Sequence, residues 1–147
     1  MFKKILFSKI CIGSDHAGYD LKEKIKDFLI NKDIPVIDLG PFTDVSVDYP
    51  DFAKKVAKRV LLKKSDAGIL VCGSGTGMAI TANKFKGIRA AQCYSKISTI
   101  LSRQHNNANI ICLGSRVLKN KEAFDFVNFF LFTKFDAGRH KKRVNKI

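Results

Sequence analysis

No apolar run in this 147-residue chain approaches the 18 or so residues that span a bilayer, so a transmembrane helix is excluded and no membrane partner is expected. The opening MFKKILFS imitates a secretion signal. Its apolar part is only Ile5 to Phe7 before Lys9 interrupts, however, so residues 1–8 read as a short N-terminal extension to the first strand. None of the four cysteines, Cys11, Cys72, Cys93 and Cys112, belongs to a C-x-x-C pair, and each falls within or at the end of a predicted strand. That pattern suggests a reducing cytoplasm. Acidic residues are scarce, 13 against 27 Lys and Arg, and the resulting +14 attracts anions without choosing between a small ligand and nucleic acid. Lys22, Lys24, Lys26, Lys54, Lys55, Lys58, Lys63 and Lys64 are scattered over solvated helix faces with no aromatic interleaving, and no nucleic-acid partner is expected. Internal repeats and low-complexity segments are also missing, and residues 9–147 read as one domain.

What is present is a regular alternation of short apolar runs and amphipathic stretches. Strands are predicted over Lys9 to Ser14, Val36 to Leu39, Ala67 to Val71, Arg89 to Cys93 and Asn109 to Leu113. Helices are predicted over Tyr19 to Asn31, from Pro50 to about Lys63, over Thr76 to Asn83, and up to Gln104 with Ile97, Ile100 and Leu101 marking the last of these. This order implies an α/β fold, an open parallel five-stranded sheet with helices on both faces in the Rossmann-like manner. A last helix, Ala123 to Phe135, reads AFDFVNFFLFTKF. It is apolar on more than one stripe, which predicts a subunit interface as its outer cover, with Gly138 breaking it.

The densest signal is GILVCGSGTGMAITANK, Gly68 to Lys84, where a buried strand ends at Cys72 and glycines follow at 73, 75 and 77. Turns and amides in such a loop, with a helix starting at Thr76, suit an oxyanion or phosphate, with the thiol at the edge. Familiar phosphate motifs are absent. The spacing is not G-x-G-x-x-G with an acid about 20 residues on, and no Lys-Ser/Thr follows Gly77. Met78 stands where a cysteine-dependent phosphatase would carry arginine. His16 follows the first strand, His105 precedes the fifth and His140 stands beside Arg139 and Arg143. With Cys72 these histidines read as one site, the alternative being surface or capping residues. Arg139 and Arg143, four apart, grip a phosphate together if helical, or else form a solvated tail.

Seven ordered segments, GSDHAG (13–18), DYP (48–50), GILVCGSGTGMAITANK (68–84), GIRAA (87–91), LSRQHNNAN (101–109), GSR (114–116) and GRHKKR (138–143), resemble the type B ribose-5-phosphate isomerases. Those enzymes share a fold with the subunits of galactose-6-phosphate isomerase. Cys72, with Met78 where another branch has glutamate, resembles the cysteine-base branch. The resemblance implies interconversion of ribose 5-phosphate and ribulose 5-phosphate through an enediolate, without metal or cofactor. It implies Cys72 as base, loop amides of Gly73, Gly75, Thr76 and Gly77 with the Ser74 hydroxyl as donors, and His105 with Asp15 nearby to open the sugar ring. Asn106 would hold a sugar oxygen, and Tyr49 would line the pocket. Arg139 and Arg143 would bind phosphate, helped by His16, His140 and Arg116. It further implies a homo-oligomer, dimer or tetramer, with the site between subunits and some of His105, Asn106 and Arg116 reaching across. The eight-residue extension and the short segment ending at Ile147 depart from the family pattern. Galactose 6-phosphate or allose 6-phosphate are the enzyme alternatives. A silent sugar-phosphate sensor would need the arginines and no base, and Cys72, His105 and Asp15 argue against it.

Overall fold

A computed structural model describes residues 4–147. Five parallel strands, β1 (Ile10–Ser14), β2 (Val36–Asp38), β3 (Ala67–Cys72), β4 (Ala90–Gln92) and β5 (Ile110–Gly114), form one sheet in the order β2-β1-β3-β5-β4. The central strands carry apolar residues on both faces because both are covered. In β3, Ala67, Ile69 and Val71 face one cluster with α1 (Tyr19–Ile30) and α5 (Asn120–Phe132), while Leu70 and Cys72 face the other, with α2 (Tyr49–Leu61) and α3 (Thr76–Ala82). The alternation therefore sends the Cys72 side chain toward α2 and α3 at the carboxyl edge of the sheet, the edge where open α/β sheets bind ligands. Pro50 opens α2 near its first position, as its missing N–H allows.

Three differences from the sequence reading have physical causes. The helix α4 (Lys96–Gln104) buries Thr99, Ser102 and Arg103, whereas Ile97 is 68% exposed. Polar residues face inward there because each finds a backbone partner. Thr99 Oγ1 donates to the Ser95 carbonyl at 2.8 Å, and Ser102 Oγ donates to that of Thr99 at 2.8 Å. Second, α5 starts at Asn120 and ends at Phe132, with Thr133 extended; Gly138 does not break it but opens α6 (Gly138–Val144) after Ala137 turns at φ 51°. Third, the phenylalanines of α5 find part of their cover inside the chain. Phe130 is buried and stacks on Phe7 at 5.8 Å, and Phe124 stacks on Phe28 at 4.9 Å. Phe129 and Phe132 pack against the same cluster. Part of the N-terminal extension supplies this cover, tied down by the Leu6 amide donating to the Leu131 carbonyl and by Ser8 bonding Asp66.

The carboxyl edge beside β2 is braced by charge. Lys22, fully buried, donates to Asp38 Oδ2 at 2.6 Å and to Glu23 at 2.8 Å, and Lys26 bonds the same two carboxylates. Asp38 Oδ1 in turn accepts the Gly40 amide, and the Gly40 carbonyl accepts the Ser14 amide, so the network fixes the strand end from which Asp15 and His16 emerge.

Candidate active site

Cys72 ends β3 as a residue 5% exposed, and the Gly75 amide donates to its sulfur at 3.1 Å. Gly75 achieves this with φ 81°, a left-handed turn that a side chain resists. Gly77 serves differently: a Cβ there would sit 2.6 Å from the Tyr49 ring, so the absent side chain makes room for the tyrosine. Ser74 Oγ accepts the Thr76 amide at 3.2 Å, which leaves its own hydrogen free to donate. Two of the loop amides expected to face a ligand are thus spent on the loop's own side chains.

Around the sulfur lies a cavity of about 350 Å³ lined by Asp15, His16, Tyr49, Cys72, Ser74 and Arg116, with the backbone of Gly73 and Gly77. Asp15 follows β1, is 7% exposed and accepts the Gly18 amide at 2.9 Å through one oxygen. The His16 Nδ1 lies 3.2 Å from the donating Val47 amide and 3.1 Å from the Val47 carbonyl. Arg116 follows β5, its amide donating to the Gly73 carbonyl at 3.0 Å and its guanidinium lying over Gly73. A larger groove of about 660 Å³ runs beside Phe52 and Lys54, Lys55 and Lys58 of α2. It contains no thiol or histidine, so the smaller cavity is the chemical one.

The remaining expected residues lie at the opposite edge of the same sheet. Cys72 pairs in register with Gly114, the last residue of β5. His105 and Asn106 precede the first residue of that strand, Ile110, beyond a strand length of about 13 Å. The chain returns from α5 to this same amino edge, where the Asp136 amide donates to the Gln104 carbonyl. There His105 and His140 stack at 4.2 Å, next to Arg139 and Arg143 on α6. Burial, then the neighbouring His105, Arg139 and Arg143, holds the His140 imidazole below its ordinary pKa.

Some supporting residues had no signal in the sequence reading. Gln92 of β4 donates from Nε2 to the Ser74 carbonyl at 3.0 Å and to Thr76 Oγ1 at 2.8 Å, holding the glycine loop from the neighbouring strand end. The Ser115 hydroxyl donates to the Ala17 carbonyl at 2.8 Å, joining the β5 and β1 ends. Burial pushes the Cys11 thiol up to about 11 and raises those of Cys93 and Cys112 as well, so these three are poor nucleophiles.

A family model described as Ribose/Galactose Isomerase matches residues 10–147. A probable ribose-5-phosphate isomerase B from Mycoplasma genitalium is 46% identical over 140 residues, covering 94% of this chain and 92% of its own. Among solved structures, a ribose 5-phosphate isomerase from Thermotoga maritima superposes with a TM-score of 0.93 at 50% identity, over 95% of this chain and 96% of that one. The Mycoplasma genitalium ribose-5-phosphate isomerase B, solved with bound ribulose-5-phosphate, gives 0.89 at 45% identity over 94% and 92%.

Proposed function

This chain belongs to the ribose/galactose isomerase family, and from that premise we propose that it interconverts ribose 5-phosphate and ribulose 5-phosphate at a site that two copies of the chain build together. The observation that carries the second half is the separation of Cys72 and His105 to opposite edges of one sheet. A thiolate base and a ring-opening histidine cannot meet one five-carbon sugar across that distance within a single chain. A second copy that presents its amino edge to the Cys72 cavity supplies His105 and Asn106 together with Arg139, His140 and Arg143. Exposed apolar side chains suit such docking: Tyr94 and Ile97 at the start of α4 are 65% and 68% exposed. Phe124, Phe129 and Phe132 of α5, partly buried, offer a further apolar surface.

Chemically, the sugar enters as a closed ring, and His105 of the second copy gives a proton to the ring oxygen while Asp15 takes one from the anomeric hydroxyl. Asp15 has an oxygen to spare, since the Gly18 amide occupies only the other. The Cys72 thiolate then removes the proton on C2, the electrons moving into the C1 carbonyl to make an enediolate. The same thiol returns that proton to C1 while the hydroxyl proton on O2 passes to O1, which gives the ketose. The Ser74 hydroxyl and the amides of Gly73 and Gly77, the two expected donors not spent on the loop's own side chains, donate to the enediolate oxygens, where charge develops. Tyr49 walls the sugar, and the phosphate meets Arg139 and Arg143, with His140 beside them and His16 and Arg116 on the Cys72 side. No step calls for a metal or cofactor. Turnover of ribose 5-phosphate by the purified protein, with and without a chelator, tests this reading. Equal rates are expected, and no turnover, or turnover lost to the chelator, contradicts it.

A further inference from the structure

Arg103 is 5% exposed and has no carboxylate partner among the described residues. A guanidinium in such a place is costly unless its donors find partners. Its Nη1 donates to the Ala108 carbonyl and, at 3.0 Å, to Asn107 Oδ1. Its Nε donates to the Thr133 carbonyl at 3.2 Å. The plane lies over the rings of Phe7 and Phe130, at 4.9 and 5.6 Å. The turn it holds is an awkward one, with Asn107 at φ 48°. Arg89 takes the other side of it, its Nε donating to the Asn106 and Asn107 carbonyls at 3.1 and 3.0 Å.

These acceptors belong to two stretches that carry site residues. Asn107 and Ala108 directly follow His105 and Asn106. Thr133 is where α5 ends and the chain sets off toward Asp136, Ala137 and the α6 residues Arg139, His140 and Arg143. Between these stretches the visible ties are few: the Asp136 amide on the Gln104 carbonyl and the His105–His140 stack. No residue of α6 is buried. We propose that Arg103 is a positioning residue for the reaction. It holds the His105–Asn106 turn and the start of the α6 arm in one fixed relation, so that the ring-opening histidine and the phosphate-binding arginines reach the sugar together. The inference rests on the isomerase reading of the site. The fork of the guanidinium is what the role needs, since three acceptors in two segments lie around one planar group that also packs against two aromatic rings. A lysine keeps the charge and loses the geometry.

The test compares Arg103→Lys with Leu29→Val, a core change in α1 that touches none of these contacts, the two read at matched loss of Tm. Proton NMR of the histidine rings is the readout that does not depend on activity. In the wild type the stacked rings of His105 and His140 shift one another upfield. Arg103→Lys is expected to abolish that mutual shift and to lower kcat for ribose 5-phosphate by about ten- to a hundredfold, with KM rising as well. Leu29→Val is expected to leave shifts and kinetics within twofold of wild type. If Arg103→Lys loses Tm but keeps the ring shifts and kcat, Arg103 is only a packing residue and the proposal is overturned. Should Arg103→Lys not fold, Asn107→Gly serves instead. It accepts the positive φ while deleting the Oδ1 acceptor, and an unchanged stack and kcat in it overturn the proposal equally. Wild-type protein that shows the stack but turns over no ribose 5-phosphate defeats the isomerase reading, while the ring shifts of the variants still decide whether Arg103 positions the two segments.

Discussion

The imidazoles of His105 and His140 stack with centroids 4.2 Å apart and planes 10° from parallel. Two cations cannot share that geometry cheaply, and Arg139 and Arg143 stand nearby. Burial, and then the charges of His105, Arg139 and Arg143, depress the His140 pKa, with Asp136 opposing. A histidine whose folded pKa lies below its unfolded value favours the folded state above about pH 6.5, and that contribution is lost as pH falls toward the folded pKa. We expect an NMR titration midpoint for His140 below the ordinary histidine value, moving upward in His105→Asn. A midpoint unchanged by that substitution would show that the two rings do not interact in solution.

The four thiols should differ in reactivity. Cys72 lines the cavity, while burial raises Cys11 to about 11 and lifts Cys93 and Cys112 too. Iodoacetamide on native protein near pH 7.5 should alkylate Cys72 at least about tenfold faster than the others, with loss of turnover following its modification. Cys72→Ser should remove turnover while leaving Tm nearly unchanged, because an alcohol does not ionise enough to act as the base. Preferential labelling of another cysteine, or activity surviving full Cys72 alkylation, would count against its role.

Much of the fold was legible because the central strands obey a simple rule: apolar residues without alternation, bounded by turns, mean a strand buried on both faces. The glycine loop was legible for the same reason. One helix face was misread. On α4 the apolar residues suggested an inward face, yet Thr99, Ser102 and Arg103 are inside because backbone carbonyls satisfy them, a condition that no periodicity displays. The separation of Cys72 from His105 was legible too: in a parallel sheet a residue just after one strand and a residue just before another lie at opposite edges, so the order of the chain already set the two apart within one copy.

The network at the β2 edge makes a stability prediction. Burial opposes ionisation of Asp38, but hydrogen bonds from Lys22 and Lys26 and the Gly40 amide outweigh it and hold the carboxyl below its usual range. Its contribution is therefore complete above about pH 4 and disappears as pH falls through the folded value. Lys22→Met removes the buried cation from that carboxylate, leaving Lys26 and the Gly40 amide, and should cost about 2 kcal/mol in urea unfolding at pH 7. Adding Asp38→Asn should recover part of that loss. Additive losses in the double variant would mean that Lys22 and Asp38 do not act as a pair.

The phosphate grip is testable through charge geometry. Arg139 and Arg143 are exposed on α6, four residues apart on one helical face. Arg143→Ala should raise KM for ribose 5-phosphate by about ten- to a hundredfold, and lysine should restore it only partly. Ribose without phosphate should be a very poor substrate for wild type and no worse for the variant. An unchanged KM at low ionic strength would place the phosphate elsewhere.

The central claim, that the site is completed by a second copy, is tested most directly by mixing two inactive variants. Cys72→Ser and His105→Asn should each fall below about a hundredth of wild-type turnover of ribose 5-phosphate. If Cys72 of one copy works with His105 of another, subunit exchange between them at equal amounts makes half of the dimers mixed, and each mixed dimer holds one site with both residues intact. Turnover should then recover to about a quarter of wild type. A mixture that stays at the sum of its parents after verified exchange would contradict the shared site and require Cys72 and His105 to act within one chain.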